Sequence, residues 1–336
     1  MNIDLCVGTV GMSVWFSKDL GENWKRASSS SGLNAECRVW TLASSSDTPR
    51  HLYAGGDEGV HRWDETGQRW THLPSPMDGR PVWALAQSPH DPRVVLAGSR
   101  PTALYRSDDA GATWRQIAIP FAEACAQVLS PRPTQILFDP YDKDTIWVGV
   151  EVDALYRSTD GGTSWTRHDK GMASIDIHGV AVTGGPSGCK DRSILVTTDR
   201  GPHRSRDNGE SWEHFELPSP WQYTRAVIPR PDNKGIVFMT NGSGPPGADG
   251  RLWRSRDNGQ SWEDAKLPGP INSTVWWVAT NAADPMLLFC CTNLGQMFRS
   301  TDGGETWEKL KREFGEIRTM LWRPAAGIPA TASVHA

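Results

Sequence analysis

The chain lacks several things that would have assigned it quickly. It has no surplus of positive charge: 35 Lys and Arg stand against 39 Asp and Glu, for a net charge near -4 and a pI near 6.1. A protein that clamps a nucleic-acid backbone needs the opposite balance, so no nucleic-acid partner is expected. No apolar run approaches the ~20 residues of a membrane span, which sets a membrane role aside. The opening Met-Asn-Ile-Asp-Leu-Cys carries neither a basic leader nor a long apolar stretch, and the expected location is cytoplasmic. Six cysteines are scattered without a CxxC pair, which disfavours a disulfide framework or zinc cluster and predicts reduced thiols. HExxH, Walker, Rossmann and nucleophile-elbow patterns are missing too, so neither a metal nor a cofactor is expected.

Tryptophan, by contrast, is abundant: 17, against 5 Tyr and 8 Phe, in a chain with 33 Gly and 24 Pro. That mixture suits short strands and tight turns and speaks against a helical bundle. A repeat accounts for it. Seven segments align, each running from a Ser or its equivalent to a Trp seven residues on: 17–24, 63–70, 107–114, 158–165, 205–212, 255–262 and 300–307. Six read Ser-x-Asp-x-Gly-x-x-Trp; the second has Trp63 and Glu65 where Ser and Asp belong. Successive tryptophans lie 44 to 51 residues apart, the length of a four-stranded propeller blade. Within a unit, an apolar stretch precedes a short strand ending in Gly, then Leu-Tyr-Arg-Ser, the box, and a last strand. The box reads as a hairpin turn in which Ser and Asp bond turn amides and Gly takes positive φ.

These segments resemble the Asp-box, or BNR, repeat of sialidases, sortilin-like receptors, xyloglucan hydrolases and photosystem II assembly factors. The resemblance implies an all-β, seven-bladed β-propeller over residues 1–324, followed by a tail at 325–336. Residues 4–8, 13–17 and 24–27 read as the second to fourth strands of the first blade, and 317–323 as its missing innermost strand, so that both termini close the ring. In the relatives the boxes lie on the face opposite the ligand site, and here they are read as scaffold.

The opposite face is therefore where chemistry is expected. Two of its loops, 119–133 and 240–251, are enlarged, and long loops on a rigid frame tend to carry function. Aligning the inner strands gives one recurring position near the channel mouth, occupied by Trp40, Trp83, Thr134, His178, Arg225, Trp276 and Arg318. Arg38, Arg80, Arg132, Asp176 and Tyr223 lie beside it, and Glu151, Asp199 and Arg200 on neighbouring loops. Aromatic walls with several guanidinium groups suit a sugar-like or planar ligand bearing an anion. Arg38, Trp40, Arg80, Trp83, Arg132, Arg225, Trp276 and Arg318 are the candidate binding residues. Glu151, Asp199, His178 and Tyr223 are the candidates for acid, base or nucleophile.

Two functions compete. One is a hydrolase or lyase acting on a small anionic or glycosidic substrate, akin to the sialidases; yet their Arg-Ile-Pro signature is missing, and Arg80-Pro-Val and Arg132-Pro-Thr do not replace it. The other is a non-catalytic platform for a protein partner. His61 and His203, at the third-strand aromatic position, read as packing residues. In the strand holding Cys290 and Cys291, one thiol is expected to face the core.

Overall fold

A computed structural model describes residues 2–44, 51–123, 125 and 130–325. Seven four-stranded antiparallel sheets surround a central axis as the blades of a propeller. The first blade is assembled from both ends of the chain. Ile317–Pro324 is its inner strand and pairs with Ile3–Thr9, followed outward by Val14–Ser17 and Lys25–Arg26. Blades 2 to 7 each take four consecutive strands, beginning at Val39–Ser44, Val82–Gln87, Pro133–Phe138, Ile177–Thr183, Tyr223–Pro229 and Val275–Ala279. Joining the termini in one sheet leaves the ring without an unpaired break. Of the tail expected at 325–336, residues 326–336 lie outside the described residues.

Second strands are buried on both faces, because each blade is sandwiched between two others. Cys290 and Cys291 show the consequence: both are fully buried, and they point into different inter-blade cores. The expectation that one thiol faces the core is too modest, since each face of that strand is a core. Burial pushes the Cys291 thiol up to about 12, so it stays protonated.

The box turns hold themselves and their neighbours. In blade 3, Ser107 Oγ accepts the Gly111 N–H at 2.8 Å and donates to Asp109 at 2.8 Å, while Asp109 accepts from Thr113 N–H and Oγ1. The same pattern recurs at Ser17, Ser158, Ser205, Ser255 and Ser300. Gly111 has φ 88°, and a Cβ there would lie 2.7 Å from Leu73 of blade 2, so only glycine lets the turn nest against its neighbour.

An arginine then latches each such turn. Arg106 of blade 3 donates to the Gly161 carbonyl of blade 4 at 2.7 Å. Arg62, Arg254 and Arg299 reach the Ala110, Gly304 and Leu20 carbonyls at 3.2, 2.6 and 2.9 Å, and Arg157 and Arg204 bond the Asn208 and Gly259 carbonyls. Six seams are closed this way. At the seventh, between blades 1 and 2, the equivalent third-strand residue is Phe16, and it meets Trp63 of the degenerate box at 4.9 Å.

Candidate functional site

At the inner strand's start, every blade carries an irregularity in pairing. The ladder shifts between Val39 and Thr41, Val82 and Ala84, Pro133 and Gln135, Ile177 and Gly179, Thr224 and Val227, and Val275 and Trp277, and opposite Ile317 and Thr319 in the closing blade. The residues skipped are Trp40, Trp83, Thr134, His178, Arg225 (with Ala226), Trp276 and Arg318. A bulge leaves one residue out of the ladder and re-aims its side chain. Seven equivalent bulges thus turn one side chain per blade toward the axis, where all seven line a single cavity of about 160 Å3. No box residue lines it.

The aromatic groups here are stacked on one another. Trp40 and Trp83 lie face to face at 3.9 Å, and the Arg132 guanidinium covers Trp83 at 3.8 Å. Arg225 lies over Trp276 at 4.5 Å, and Arg318 reaches Trp276 at 5.0 Å and Trp40 at 5.7 Å. The expected open aromatic wall is therefore largely consumed: guanidinium and indole faces satisfy each other through cation–π contact. Trp40 also donates its indole N–H to Asp57 at 2.7 Å.

The charges are unevenly matched. Arg132 binds Glu151 at 2.6 Å, and Arg318 binds Glu316. Arg225 has no carboxylate within ion-pair distance and no side-chain hydrogen bond among the described residues. Burial lowers the pKa of Arg132 to about 10 even with Glu151 beside it, and the charges of Arg225 and Arg318 push the same way. Arg318 is lowered for the same first reason, burial, with Glu316 opposing it and Arg225 adding to it. Three guanidinium groups thus repel one another across a small, partly dry space. Polar atoms nearby are buried without a hydrogen-bond partner: Trp83 Nε1, Arg132 Nε, Arg318 Nε, Glu151 Oε2 and Asp176 Oδ1. Such atoms are costly unless something else satisfies them.

His178 is held from both sides. Nδ1 lies 2.7 Å from the Thr224 carbonyl oxygen and Nε2 lies 3.2 Å from Asp176 Oδ2. Both ring nitrogens are thus engaged by the fold itself, and His178 is fixed between two blades as a strut. Burial pushes the Asp176 carboxyl up, but the hydrogen bond and charge of His178 and the charge of Arg225 hold it low. Tyr223 packs on His178 at 4.8 Å, and burial raises its phenol to about 12.

The remaining candidates are dispersed. Asp199 is exposed, takes a hydrogen bond from Ser174, sits 3.9 Å from Arg200, and does not line the cavity. Arg38 is exposed beside Asp57, and Arg80 is exposed; neither lines the cavity. Glu151 stands one layer behind the lining, against Arg132. Among the described residues, no carboxylate lines the cavity itself. Of the enlarged loops, Thr240–Gly242 and Gly250–Arg251 turn out to be strand, which leaves a seven-residue loop at 243–249. Part of 119–133 lies outside the described residues. Among the described residues, no group of three or more His, Cys, Asp and Glu is gathered that could hold a metal ion, and no helix is long and apolar enough to cross a membrane. Sequence reading missed Glu316, which sits two residues before Arg318, and the stacking of Trp40 on Trp83, which joins two repeats.

Comparison with known proteins fits this architecture. The Sortilin-Vps10 family model (sortilin, neurotensin receptor 3) matches residues 58–199 and 200–325. An oligoxyloglucan-reducing end-specific xyloglucanase from Emericella nidulans is 27 % identical over 194 residues, covering 53 % of this chain and 24 % of that protein. The chain thus spans about a quarter of that relative's length. Among solved structures, the GH74 enzyme of Niastella koreensis has a TM-score of 0.65 at 20 % identity, over 81 % of this chain and 45 % of that one. YCF48 bound to D1 peptide has a TM-score of 0.54 at 17 % identity, over 81 % and 82 %. At those identities the two structures speak to the fold alone. That sequence relative is named as a xyloglucanase, so it lends no support to a sialidase in particular or to a lyase.

Proposed function

The chain belongs to the Sortilin-Vps10 family, and on that premise we propose that its channel mouth recognises the carboxylate of a glycosidic ligand, as part of a glycoside hydrolase. The supporting observation is Arg225: a half-buried guanidinium without a carboxylate partner, between two arginines whose counter-ions are already engaged. An incoming carboxylate would neutralise that excess and satisfy the orphaned N–H groups nearby. The cavity is small for a whole saccharide, which favours one acidic group entering while the rest of the ligand lies over the rim. For bond cleavage, Glu151 is the carboxylate at hand, and Tyr223, which keeps its proton at neutral pH, is the donor. The xyloglucanase relative supports a glycosidic substrate.

A second reading, a binding platform without catalysis, draws support from the cavity lining, which lacks the pair of carboxylates that glycoside hydrolysis ordinarily needs. Thermal shift and turnover across uronic acids, nitrophenyl uronides and neutral xyloglucan fragments separate the two. Uronates should stabilise the wild type, and Arg225→Gln should weaken their binding about 10- to 100-fold, the worth of a charge-assisted bidentate pair. Release of nitrophenol by the wild type and not by Glu151→Gln supports hydrolysis; binding without release supports the platform. A wild type indifferent to every carboxylate overturns carboxylate recognition at the channel mouth.

A further inference from the structure

The seam that lacks an arginine latch holds a wide cleft. Between blades 1 and 2 lies a cavity of about 490 Å3, within the usual range for small-ligand sites and larger than the space at the channel mouth. Its cause is legible in the chain. Elsewhere a third-strand Arg crosses to the next box turn; here Phe16 holds that position, and the box it would meet has lost its Ser and Asp to Trp63 and Glu65. Trp63 packs against Phe16 at 4.9 Å and Trp70 at 5.3 Å, so the indole lies in the seam beside Phe16, with both rings half-buried. The turn at 64–68 is held by other means: Asp64 accepts the Thr66 N–H at 2.9 Å, and Gln68 donates to the Glu65 carbonyl at 2.7 Å.

The charges lining this cleft sort cleanly. Its acids are committed inside the fold: Glu65 pairs with Arg323, which also lies 3.4 Å from Asp4, and Asp19 accepts bonds from Ser17 and Asn23. Its cations are not. Lys25 has no carboxylate within 4 Å among the described residues, Arg26 is exposed, and Lys18 reaches Asp4 only at 4.0 Å. Amide and hydroxyl groups of Gln68, Ser28 and Ser30 complete the lining.

We propose that this seam is a second binding site, separate from the channel mouth, for an anionic pyranoside such as a uronate. The apolar face of the sugar lies on Trp63 and Phe16, its hydroxyls meet the amide and hydroxyl rim, and its carboxylate meets Lys25. The loss of the box in one repeat and of the latch in its neighbour thereby places an indole and a phenyl ring, in place of an arginine, on the wall of this cleft.

Calorimetric titration with digalacturonate, at low salt, tests this. The wild type should show two sites. Trp63→Ser, combined with Phe16→Arg to restore the latch, should retain only the channel site. Lys25→Gln should weaken the seam site about 5-fold, with the channel site unchanged. Arg225→Gln should keep the seam site, which separates a failure here from a failure at the channel. Cellobiose, which has no carboxylate, should bind at least about 5-fold more weakly. If the latched double variant does not fold, Lys25→Gln decides. One site in the wild type that vanishes in Arg225→Gln, an unaltered isotherm in Lys25→Gln, or equal affinity for cellobiose overturns the proposal, as does no binding at all.

Discussion

Replacing Arg254 by Met tests the claim that arginines, and not apolar packing alone, fasten one blade to the next. Arg254 is 7 % exposed and donates to the Gly304 carbonyl of the following blade at 2.6 Å. It also bonds Glu263 at 2.9 Å and Glu305 at 3.0 Å. Methionine fills much of the same volume but leaves that carbonyl without its donor. A hydrogen bond from a charged group contributes about 1.5–3 kcal/mol, and a buried acceptor left unpaired costs about 1–3 kcal/mol. The two glutamates are not stranded, because exposed Arg256 bonds both. The expected loss is therefore about 3 kcal/mol, on the order of 4 °C in Tm for a domain of this length. Arg256→Met is the control: it removes the same charge from the same glutamates but only at the surface, where exposed pairs contribute about 1 kcal/mol or less. Calorimetric melts of both variants provide the comparison. Equal shifts, or an Arg254 variant as stable as the wild type, would refute the idea of a latch.

Two further outcomes follow from the buried polar groups. Burial lowers the pKa of His61 and His203 to about 4, with the neighbouring His72 and His214 pushing the same way, so both are neutral in the folded chain at pH 7. Unfolded histidines take up protons near pH 6.5, so stability is intact above that value and falls as the pH drops toward 4. The loss is about 3 kcal/mol for each fully shifted histidine. Denaturant melts of His61→Phe at pH 7 and pH 4.5 should show a shallower acid loss than the wild type; an identical loss would contradict this. Asp109 and Asp160, held down to about 2 by hydrogen bonds from Thr113 and Ser164, keep the box turns charged through the same range. Ser158→Ala should cost about 1–3 kcal/mol by leaving the buried Gly162 N–H unpaired, with ligand binding at the mouth unaltered. A melt no lower than the wild type would count against the box as a structural clasp.

Much of the architecture could be read from the chain because the box is local. Ser, Asp, Gly and Trp contact one another within eight residues, so spacing alone counts the blades and marks both the closing strand and the odd second repeat. The seven mouth positions were legible for a related reason: they recur at one register, and the bulge that exposes them recurs with it. What the sequence did not disclose are contacts between repeats. Arg106 and Gly161 are 55 residues apart, and nothing near either announces the other. Likewise the stacking of Trp40 on Trp83 turns much of an expected ligand wall into packing, and His178 is held between the Thr224 carbonyl of the next blade and Asp176.

Determination of the structure with a uronate bound tests the central claim most directly. A carboxylate within hydrogen-bond distance of Arg225, at the mouth formed by the seven bulged residues, is the predicted result. Density for the ligand's acid on the box-turn face alone, with Arg225 untouched, would contradict it.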